Sequence, residues 1–156
     1  MTEFARWETV AAPTGLYSTD EHKEIWKILT KAAPILDEIT VPHLCHCDLW
    51  FGNILVTPEE HPKLAVVIDA DRAMWGDPEL DFFIISWTEQ SSAFWEGYGK
   101  TLKAEDNSKI RRLIYTLMWA LFDSYVYHNQ YNAPESAAQT KQRALDQMYT
   151  LHKYDI

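Results

Sequence analysis

A carboxylate and two further oxygen-bearing side chains lie close together in the first half of this 156-residue sequence. Asp48 lies five residues before Asn53, and Asp69 follows an apolar run that ends at Ile68. A carboxylate such as Asp48 can align a hydroxyl group and accept its proton, because an unassisted hydroxyl is a poor nucleophile. An amide oxygen and a second carboxylate can bind Mg²⁺ beside phosphate oxygens. Magnesium-assisted phosphoryl transfer to a hydroxyl uses side chains of these three kinds.

Each of these three residues also has a plain structural interpretation. Asp48 alone would suit an Asx-turn, and Asn53 would suit a turn before a strand. Asp69 could cap a helix or close a loop. A carboxylate at the end of a buried strand nevertheless needs a metal, a cation or several donors, so we favour metal ligation for Asp69. The ordered pattern, rather than any single residue, favours the catalytic interpretation of Asp48.

A small β-hairpin is expected to bring the two metal ligands together. Ile54–Val56 and residues 64–68 are short β-prone runs on either side of a proline-containing turn. Asn53 precedes the first run and Asp69 follows the second. Antiparallel pairing brings these ends together, so two residues distant in sequence can converge on one ion. A loop at residues 70–78 is expected to follow the hairpin.

Helical patterns dominate the remainder of the sequence. Ser18 with Glu21 forms a capping-box pattern, and the helix that follows is expected to kink or break at Pro34. Asp77 and Pro78 are typical of the start of a second helix. Apolar residues at helical spacing predict helices within residues 80–87, 91–102, 106–128 and 132–151, the last beginning at Asn132 with Glu135. The predicted fold is therefore α+β and mostly helical.

The ordered motifs resemble those of the aminoglycoside phosphotransferase and choline kinase family. The family pattern is H-G-D-x-x-x-x-N, then a strand ending in I-D, then G-D-x-x-x-D. The matching parts here are His46-Cys-Asp48 with Asn53, the run ending in Ile68-Asp69, and Gly76-Asp77-Pro78-Glu79-Leu80-Asp81. The resemblance implies the C-terminal lobe of a protein-kinase-like fold, with a small hairpin beside the catalytic loop.

The resemblance also implies the chemistry of the matched residues. Asp48 would be the catalytic residue, and Asn53 and Asp69 would hold Mg²⁺ on the phosphates of ATP or GTP. The acceptor would be a small hydroxyl-bearing molecule, aminoglycoside-like or an amino-alcohol. Asp71 could add a second acid to the metal site, but a solvated loop acid paired with Arg72 is the favoured interpretation.

Three further matches are implied to be structural. His46 would orient the loop through hydrogen bonds, while Asp77 and Asp81 would brace it and cap the following helix. The glycine of the family pattern is Cys47 here, at a position whose backbone angle glycine adopts more easily. The residues that bind the acceptor are unknown. Four acids on the predicted later helices match no motif and suit solvated helix faces: Glu89, Glu96, Asp123 and Glu135.

Composition narrows the classes of partner and location. The formal net charge of −9 disfavours nucleic acid and anionic membranes, and it suits a cationic acceptor. Cys45 and Cys47 are the only cysteines; without a second pair to complete a zinc site, we expect buried free thiols. No apolar run is long enough to span a membrane, and the N-terminus has no apolar segment of a signal peptide. A cytoplasmic location is expected.

By its length the chain is predicted to be one domain, 1–156. It would comprise an irregular segment 1–19, a motif region 43–85 and a helical part 90–156. No N-terminal nucleotide lobe is recognisable before His46. We therefore weigh a phosphotransferase represented by its C-lobe against a non-catalytic remnant or one half of a split enzyme. An N-lobe partner chain or a homo-oligomer would complete the site. A plain helical protein is disfavoured, because three ordered motifs would have to coincide.

Overall fold

The computed structural model describes residues 12–82 and 92–156, together with Thr9. The chain divides into two compact units. We call Met1–Glu38 with Ser91–Ile156 the helical unit, and Ile39–Gln90 the motif unit. The predicted architecture is confirmed, because the described residues form mostly helix with two small two-stranded sheets.

Long helices build the core of the helical unit. Among the described residues of this unit, the helices that we number are α1 (Thr19–Leu36), α2 (Ser92–Tyr98), α3 (Asp106–Asn129) and α4 (Pro134–His152). Helices α3 and α4 pack against each other, and α1 packs on both. Their facing apolar side chains form one buried cluster in which Ile28, Leu117 and Leu151 are fully buried.

The start of α1 agrees with the sequence, but its continuation does not. The Ser18 hydroxyl accepts a hydrogen bond from the Glu21 backbone N–H, and the Glu21 carboxylate accepts one from the Ser18 N–H. The predicted capping box is therefore confirmed. The expected break at Pro34 is wrong, since α1 runs as one helix to Leu36; a kink there stays a prediction. Pro34 lies in the last turn, so the one backbone hydrogen bond that it cannot donate is lost close to the end of the helix.

Two other helix boundaries correct the sequence predictions. Helix α4 begins at Pro134, not at Asn132, which has a left-handed φ of 48° before the helix. Proline suits the first helical position because the N–H it lacks would have no partner there. Asp77 and Pro78 start a 3₁₀ turn, Pro78–Phe82, in which the Asp77 carboxylate accepts a hydrogen bond from the Glu79 N–H. The rest of that predicted helix, 83–87, lies outside the described residues.

The segment before α1 is fixed onto the helical unit. The Tyr17 hydroxyl lies 3.0 Å from the Ser124 hydroxyl, and burial raises the pKa of Tyr17 to about 12. The Lys141 ammonium donates to the Leu16 carbonyl and the Glu21 carboxylate, both at 2.9 Å. It also lies 5.0 Å from the centre of the Tyr17 ring. This segment is therefore held by both polar and aromatic contacts.

Two antiparallel strand pairs form the motif unit. The predicted hairpin is confirmed: β2 (Ile54–Val56) pairs with β3 (Leu64–Val67), with an irregularity in register between Leu55 and Val56. The predicted loop at 70–78 is wrong. Ala70–Arg72 is a 3₁₀ turn, and Met74–Gly76 is strand β4, which pairs with β1 (His43–Cys45). No helix in the described part of the chain is long and apolar enough to cross a membrane.

Candidate active site

Asp48 and Asn53 are held together by direct hydrogen bonds. The Asn53 Nδ2 donates to the Asp48 carboxylate at 2.8 Å and to the Asp48 backbone carbonyl at 2.9 Å. Asn53 is only 4% exposed and ends the 3₁₀ turn Phe51–Asn53, which leads directly into β2. Because Nδ2 is occupied by Asp48, the side-chain oxygen Oδ1 is the Asn53 atom that can bind a cation.

The hairpin brings Asn53 and Asp69 to the same end of its two strands. The Ile68 backbone N–H donates to the Asn53 carbonyl at 3.0 Å. Asp69 follows at once in the left-handed conformation, with φ 65° and ψ 56°. Its exposed carboxylate makes no capping hydrogen bond to the Ala70–Arg72 turn, although Asp69 occupies the cap position. The helix-cap interpretation of Asp69 therefore has no support in the geometry.

The donors at this end of the hairpin fit Mg²⁺. Within the described ranges, 12–82 and 92–156, no group of three or more His, Cys, Asp or Glu could hold a metal. Mg²⁺ does not need such a group, because it keeps several waters and binds phosphate oxygens beside one or two protein oxygens. The Asn53 amide oxygen and the uncapped Asp69 carboxylate are donors of that kind. Asp71 is also exposed, two residues further along the chain.

His46 connects the 46–53 loop to the strand that precedes Asp69. Its Nε2 donates to the Ile68 carbonyl at 2.9 Å, since a carbonyl can only accept. Its Nδ1 is buried and has no hydrogen-bond partner among the described residues. The geometry is that of a side chain that connects two segments, with one ring nitrogen bonded to a carbonyl and the other buried.

The 77–81 segment braces the 46–53 loop from the other side. The Asp81 carboxylate accepts the Cys47 N–H at 2.7 Å and also the His46 N–H. Burial raises the pKa of Asp81 above its ordinary value, although these two N–H donors and the His46 ring oppose the shift. Asp77 contributes through its backbone carbonyl, which accepts a hydrogen bond from the Cys45 thiol at 3.1 Å. Asp77 and Asp81 therefore lie where bracing residues are expected.

The cysteine that replaces the family glycine adopts the conformation that glycine favours. Cys47 has φ 62° and is fully buried. A left-handed residue with a side chain costs free energy, which the surrounding contacts must offset. Burial, with a smaller contribution from Asp81, raises the pKa of both Cys45 and Cys47 to about 12. The prediction of buried free thiols is confirmed.

The structure also bears on acids that the motifs did not assign. Glu79 is 8% exposed, a rare state for a carboxylate, and reasoning from sequence overlooked it. The only signal was its position between Pro78 and Leu80. Glu96 and Glu135 are exposed, as expected for solvated faces, whereas Asp123 is half-buried and has an interaction partner. Glu89 lies outside the described residues.

Comparison with known proteins agrees with this geometry. The family model for fructosamine kinase matches residues 11–147, which is most of the chain. A chloroplastic protein-ribulosamine 3-kinase from Arabidopsis thaliana is 28% identical over 106 residues. That match covers 67% of this chain and 29% of the plant protein.

Solved structures confirm the fold. A thermostable mutant of aminoglycoside phosphotransferase APH(4)-Ia, in a ternary complex with AMP-PNP and hygromycin B, matches with a TM-score of 0.61 and 21% identity. An apo form of a thermostable mutant of that enzyme matches with a TM-score of 0.62 and 22% identity. The two matches cover 91% and 92% of this chain but 48% and 49% of those chains. The protein therefore spans about half the length of these relatives.

Proposed function

Because the chain belongs to the fructosamine kinase family, we propose that it is the catalytic lobe of a small-molecule O-phosphotransferase. The γ-phosphoryl group of ATP or GTP would pass to a hydroxyl of the acceptor. The names of the relatives supply a common acceptor chemistry, since fructosamine, ribulosamine and aminoglycosides all combine sugar hydroxyls with an amine. The net charge of −9 favours an acceptor of this cationic kind.

The Asp48–Asn53 contact is the observation that carries this proposal. A carboxylate that aligns a hydroxyl must keep one orientation while the acceptor binds and leaves. Two hydrogen bonds from the Asn53 amide, one to the Asp48 side chain and one to its carbonyl, provide that orientation. In this proposal Asp48 aligns the acceptor hydroxyl and takes its proton late in the transfer.

The same proposal assigns Mg²⁺ to Asn53 and Asp69. The ion, when bound, neutralises charge on the donor phosphates and orients them for in-line transfer. Asn53 would contribute Oδ1, because its Nδ2 is committed to Asp48. Asp69 would contribute a carboxylate that no neighbouring turn uses. His46 and Asp81 would keep this loop and the hairpin end in place by the hydrogen bonds described above.

Binding of the nucleotide would need more protein surface than the motif unit offers. The relatives are about twice as long as this chain or longer, which supports a contribution from additional polypeptide. An N-lobe partner chain or a second copy of this chain could supply it. We propose a cytoplasmic location for the assembly, where ATP and GTP are available as donors.

Calorimetry with Mg²⁺–ATP tests the metal assignment, and Asp71 provides a matched control. Asp69→Ala should weaken magnesium-dependent nucleotide binding at least about tenfold, as expected for loss of a charged ligand. Asp71→Ala, an equally exposed acid two residues away, should change binding less than about twofold. Equal losses in both variants would indicate a general charge effect and contradict ligation by Asp69.

Nucleotide turnover with a panel of sugar amines and amino-alcohols tests the catalytic assignment. If the protein turns over, Asp48→Asn should lower the rate by about a thousandfold while leaving thermal unfolding unchanged. The alternative function is a non-catalytic C-lobe that serves as a binding or partner module. Equal inactivity of the native protein and Asp48→Ala in every condition would reject catalysis and leave that alternative.

A further inference from the structure

The main chain of Trp50 joins Asp48 to Asn53. The Trp50 N–H donates a hydrogen bond to the Asp48 carbonyl at 3.0 Å, and the Trp50 carbonyl accepts the Asn53 N–H at 3.0 Å. The Asp48 carbonyl also accepts a hydrogen bond from the Asn53 Nδ2, at 2.9 Å. The orientation of the Asn53 side chain toward Asp48 therefore depends on the backbone conformation of residues 49–52, which separate the two.

The indole ring of Trp50 lies against Gly52, within that same stretch. A Cβ atom built on Gly52 would overlap carbons of the six-membered ring of the indole, so the ring approaches this backbone more closely than a side chain at residue 52 would allow. Glycine is often needed where φ is positive, but Gly52 is not among the residues with positive φ. The close approach of the indole is therefore the feature that explains a glycine here.

This packing is not part of a hydrophobic core. The Trp50 side chain is 53% exposed, whereas Trp119 in the helical unit is 4% exposed. The contact is local, because Gly52 is the middle residue of the 3₁₀ turn Phe51–Asn53, which the ring covers from the residue before the turn. Glycine has the greatest conformational freedom of any residue, so a ring packed on Gly52 restricts the least constrained position of the turn.

We propose that Trp50 is a positioning residue, whose indole restrains Gly52 so that Asn53 keeps its hydrogen bonds to Asp48. The proposal rests on the proposed function only in taking Asp48 and Asn53 as the residues that act on the hydroxyl and on Mg²⁺. With the ring in place, the turn that ends at Asn53 has fewer conformations to lose when Nδ2 bonds the Asp48 carboxylate at 2.8 Å. Without the ring, the carboxylate loses part of its fixed orientation.

The side-chain amide of Asn53 reports this orientation without any turnover. Because Nδ2 donates to two oxygens of Asp48, its protons should exchange slowly with solvent in the ¹⁵N-enriched native protein. Trp50→Ala should accelerate that exchange about tenfold, and Trp50→Phe, which keeps a ring, should restore most of the protection. Trp75→Ala is the matched control, since this tryptophan of the same unit is 70% exposed, and it should leave the exchange unchanged. Native protection of the α3 amides in every variant confirms an intact fold.

A double-mutant cycle with Gly52→Ala tests the contact itself. The added methyl group would occupy the position of the ring and displace it, so Gly52→Ala alone should accelerate exchange of the Asn53 amide as much as Trp50→Ala does. In the Trp50→Ala protein the same change meets no ring and should add less than about twofold. Gly97→Ala, in α2, is the control for a glycine-to-alanine change, because a Cβ there would meet nothing within 4 Å. Fully additive effects would overturn the proposal.

Steady-state kinetics separate positioning by Trp50 from direct contact with the acceptor. If the native protein turns over, Trp50→Ala should lower kcat about tenfold or more and change the acceptor KM less than about twofold. A raised acceptor KM with native exchange of the Asn53 amide would assign the ring to acceptor binding and overturn the proposal. Native amide exchange in both Trp50→Ala and Gly52→Ala would overturn it as well. If the native protein does not turn over any acceptor, the proposed function fails, while amide exchange still decides the role of Trp50.

Discussion

The two units of this protein hold their residues in place by different means. In the helical unit a continuous apolar cluster from α1, α3 and α4 excludes water. In the motif unit the described buried residues include Asn53, Asp77 and Glu79, and hydrogen bonds to backbone fix the 46–53 loop. Burial of apolar area is non-directional, whereas a hydrogen bond sets both distance and angle. The unit that carries the proposed active site is thus the one whose loop is held by directional contacts.

The exposed side chains of the two units differ in the same way. Among the described residues of the helical unit, the large exposed hydrophobic side chains are tyrosines, which keep a hydroxyl in water. Those of the motif unit are Val, Leu, Ile, Phe and Trp, without a tyrosine. The helical unit therefore has a surface suited to solvent, and the motif unit has one suited to contact with further polypeptide.

The largest expected difference between the units is in the cost of deleting a leucine side chain. Leu117→Ala, in the core of the helical unit, should lower the free energy of unfolding by about 3 to 4 kcal/mol. Leu55→Ala, on the exposed hairpin, should change it by less than about 0.5 kcal/mol in the monomer. Urea unfolding followed by circular dichroism measures both. Similar losses would mean that Leu55 is packed like a core residue, and the contrast between the units would fail.

Removal of the brace at Asp81 should have a smaller effect, confined to the motif unit. Asp81→Ala leaves the His46 and Cys47 N–H groups without their acceptor, at a cost of about 2 kcal/mol. Asp81→Asn keeps an acceptor oxygen and should cost less. Hydrogen exchange should show faster exchange at the 46–53 loop in the alanine variant and no change in α3. Loss of protection in both units would show that the brace is not local.

The two units should also respond to acid in opposite directions. The pKa of Asp81 is raised by burial, so its stabilising contribution is complete at low pH and is lost as pH rises through that pKa. The pKa of Glu24, on α1, is lowered by hydrogen bonds from Lys27 and His152, so its contribution is lost as pH falls. Urea unfolding from about pH 4 to about pH 7, the range above the ordinary carboxyl pKa, should show Asp81→Asn gaining stability relative to the native protein. A difference that does not change with pH would contradict the burial of Asp81.

The smallest expected difference in stability is between two variants at Cys47, and its sign tests the backbone conformation there. Cys47→Gly and Cys47→Ala both remove the buried thiol. Only glycine adopts the left-handed backbone conformation at φ 62° without steric strain. The glycine variant should therefore be about 1 kcal/mol more stable than the alanine variant, the reverse of the usual order. Thermal unfolding of the two variants measures this difference. An alanine variant of equal or higher stability would mean that the positive φ is not maintained.

Local sequence signals predicted those parts of the fold that depend on neighbouring residues. The Ser18–Glu21 capping box spans four residues, and the hairpin joins two runs separated by a short turn. The pairing of β1 with β4 could not be predicted in this way, because its three-residue strands have no clear alternation and lie far apart in sequence. The sequence also did not predict that α1 continues past Pro34 to Leu36, since helix ends are difficult to locate from sequence alone.

In the candidate site, too, some features were predicted from the sequence and others were not. The motif order allowed Asp48, Asn53 and Asp69 to be named, and hairpin pairing explains why the last two lie at one end of the strands. The contacts that orient these residues are not visible in the sequence. The hydrogen bond from His46 to the Ile68 carbonyl, for example, joins atoms from segments twenty-two residues apart and depends on the folded loop. Residue types and their spacing in the sequence thus identify candidate reactive side chains better than they identify the hydrogen bonds that orient those side chains.

The hydrogen bond from the His46 Nε2 to the carbonyl of Ile68 also gives this protein a built-in spectroscopic probe. It fixes the neutral imidazole as a single tautomer, with the proton on Nε2, and a single tautomer has a distinct pair of ¹⁵N resonances. Ile68 immediately precedes Asp69, so an ion arriving at that carboxylate would disturb the carbonyl to which the ring is bound. In ¹⁵N-enriched protein, the nuclear magnetic resonance signal of one native side chain can therefore report occupancy at the end of the hairpin without a substrate.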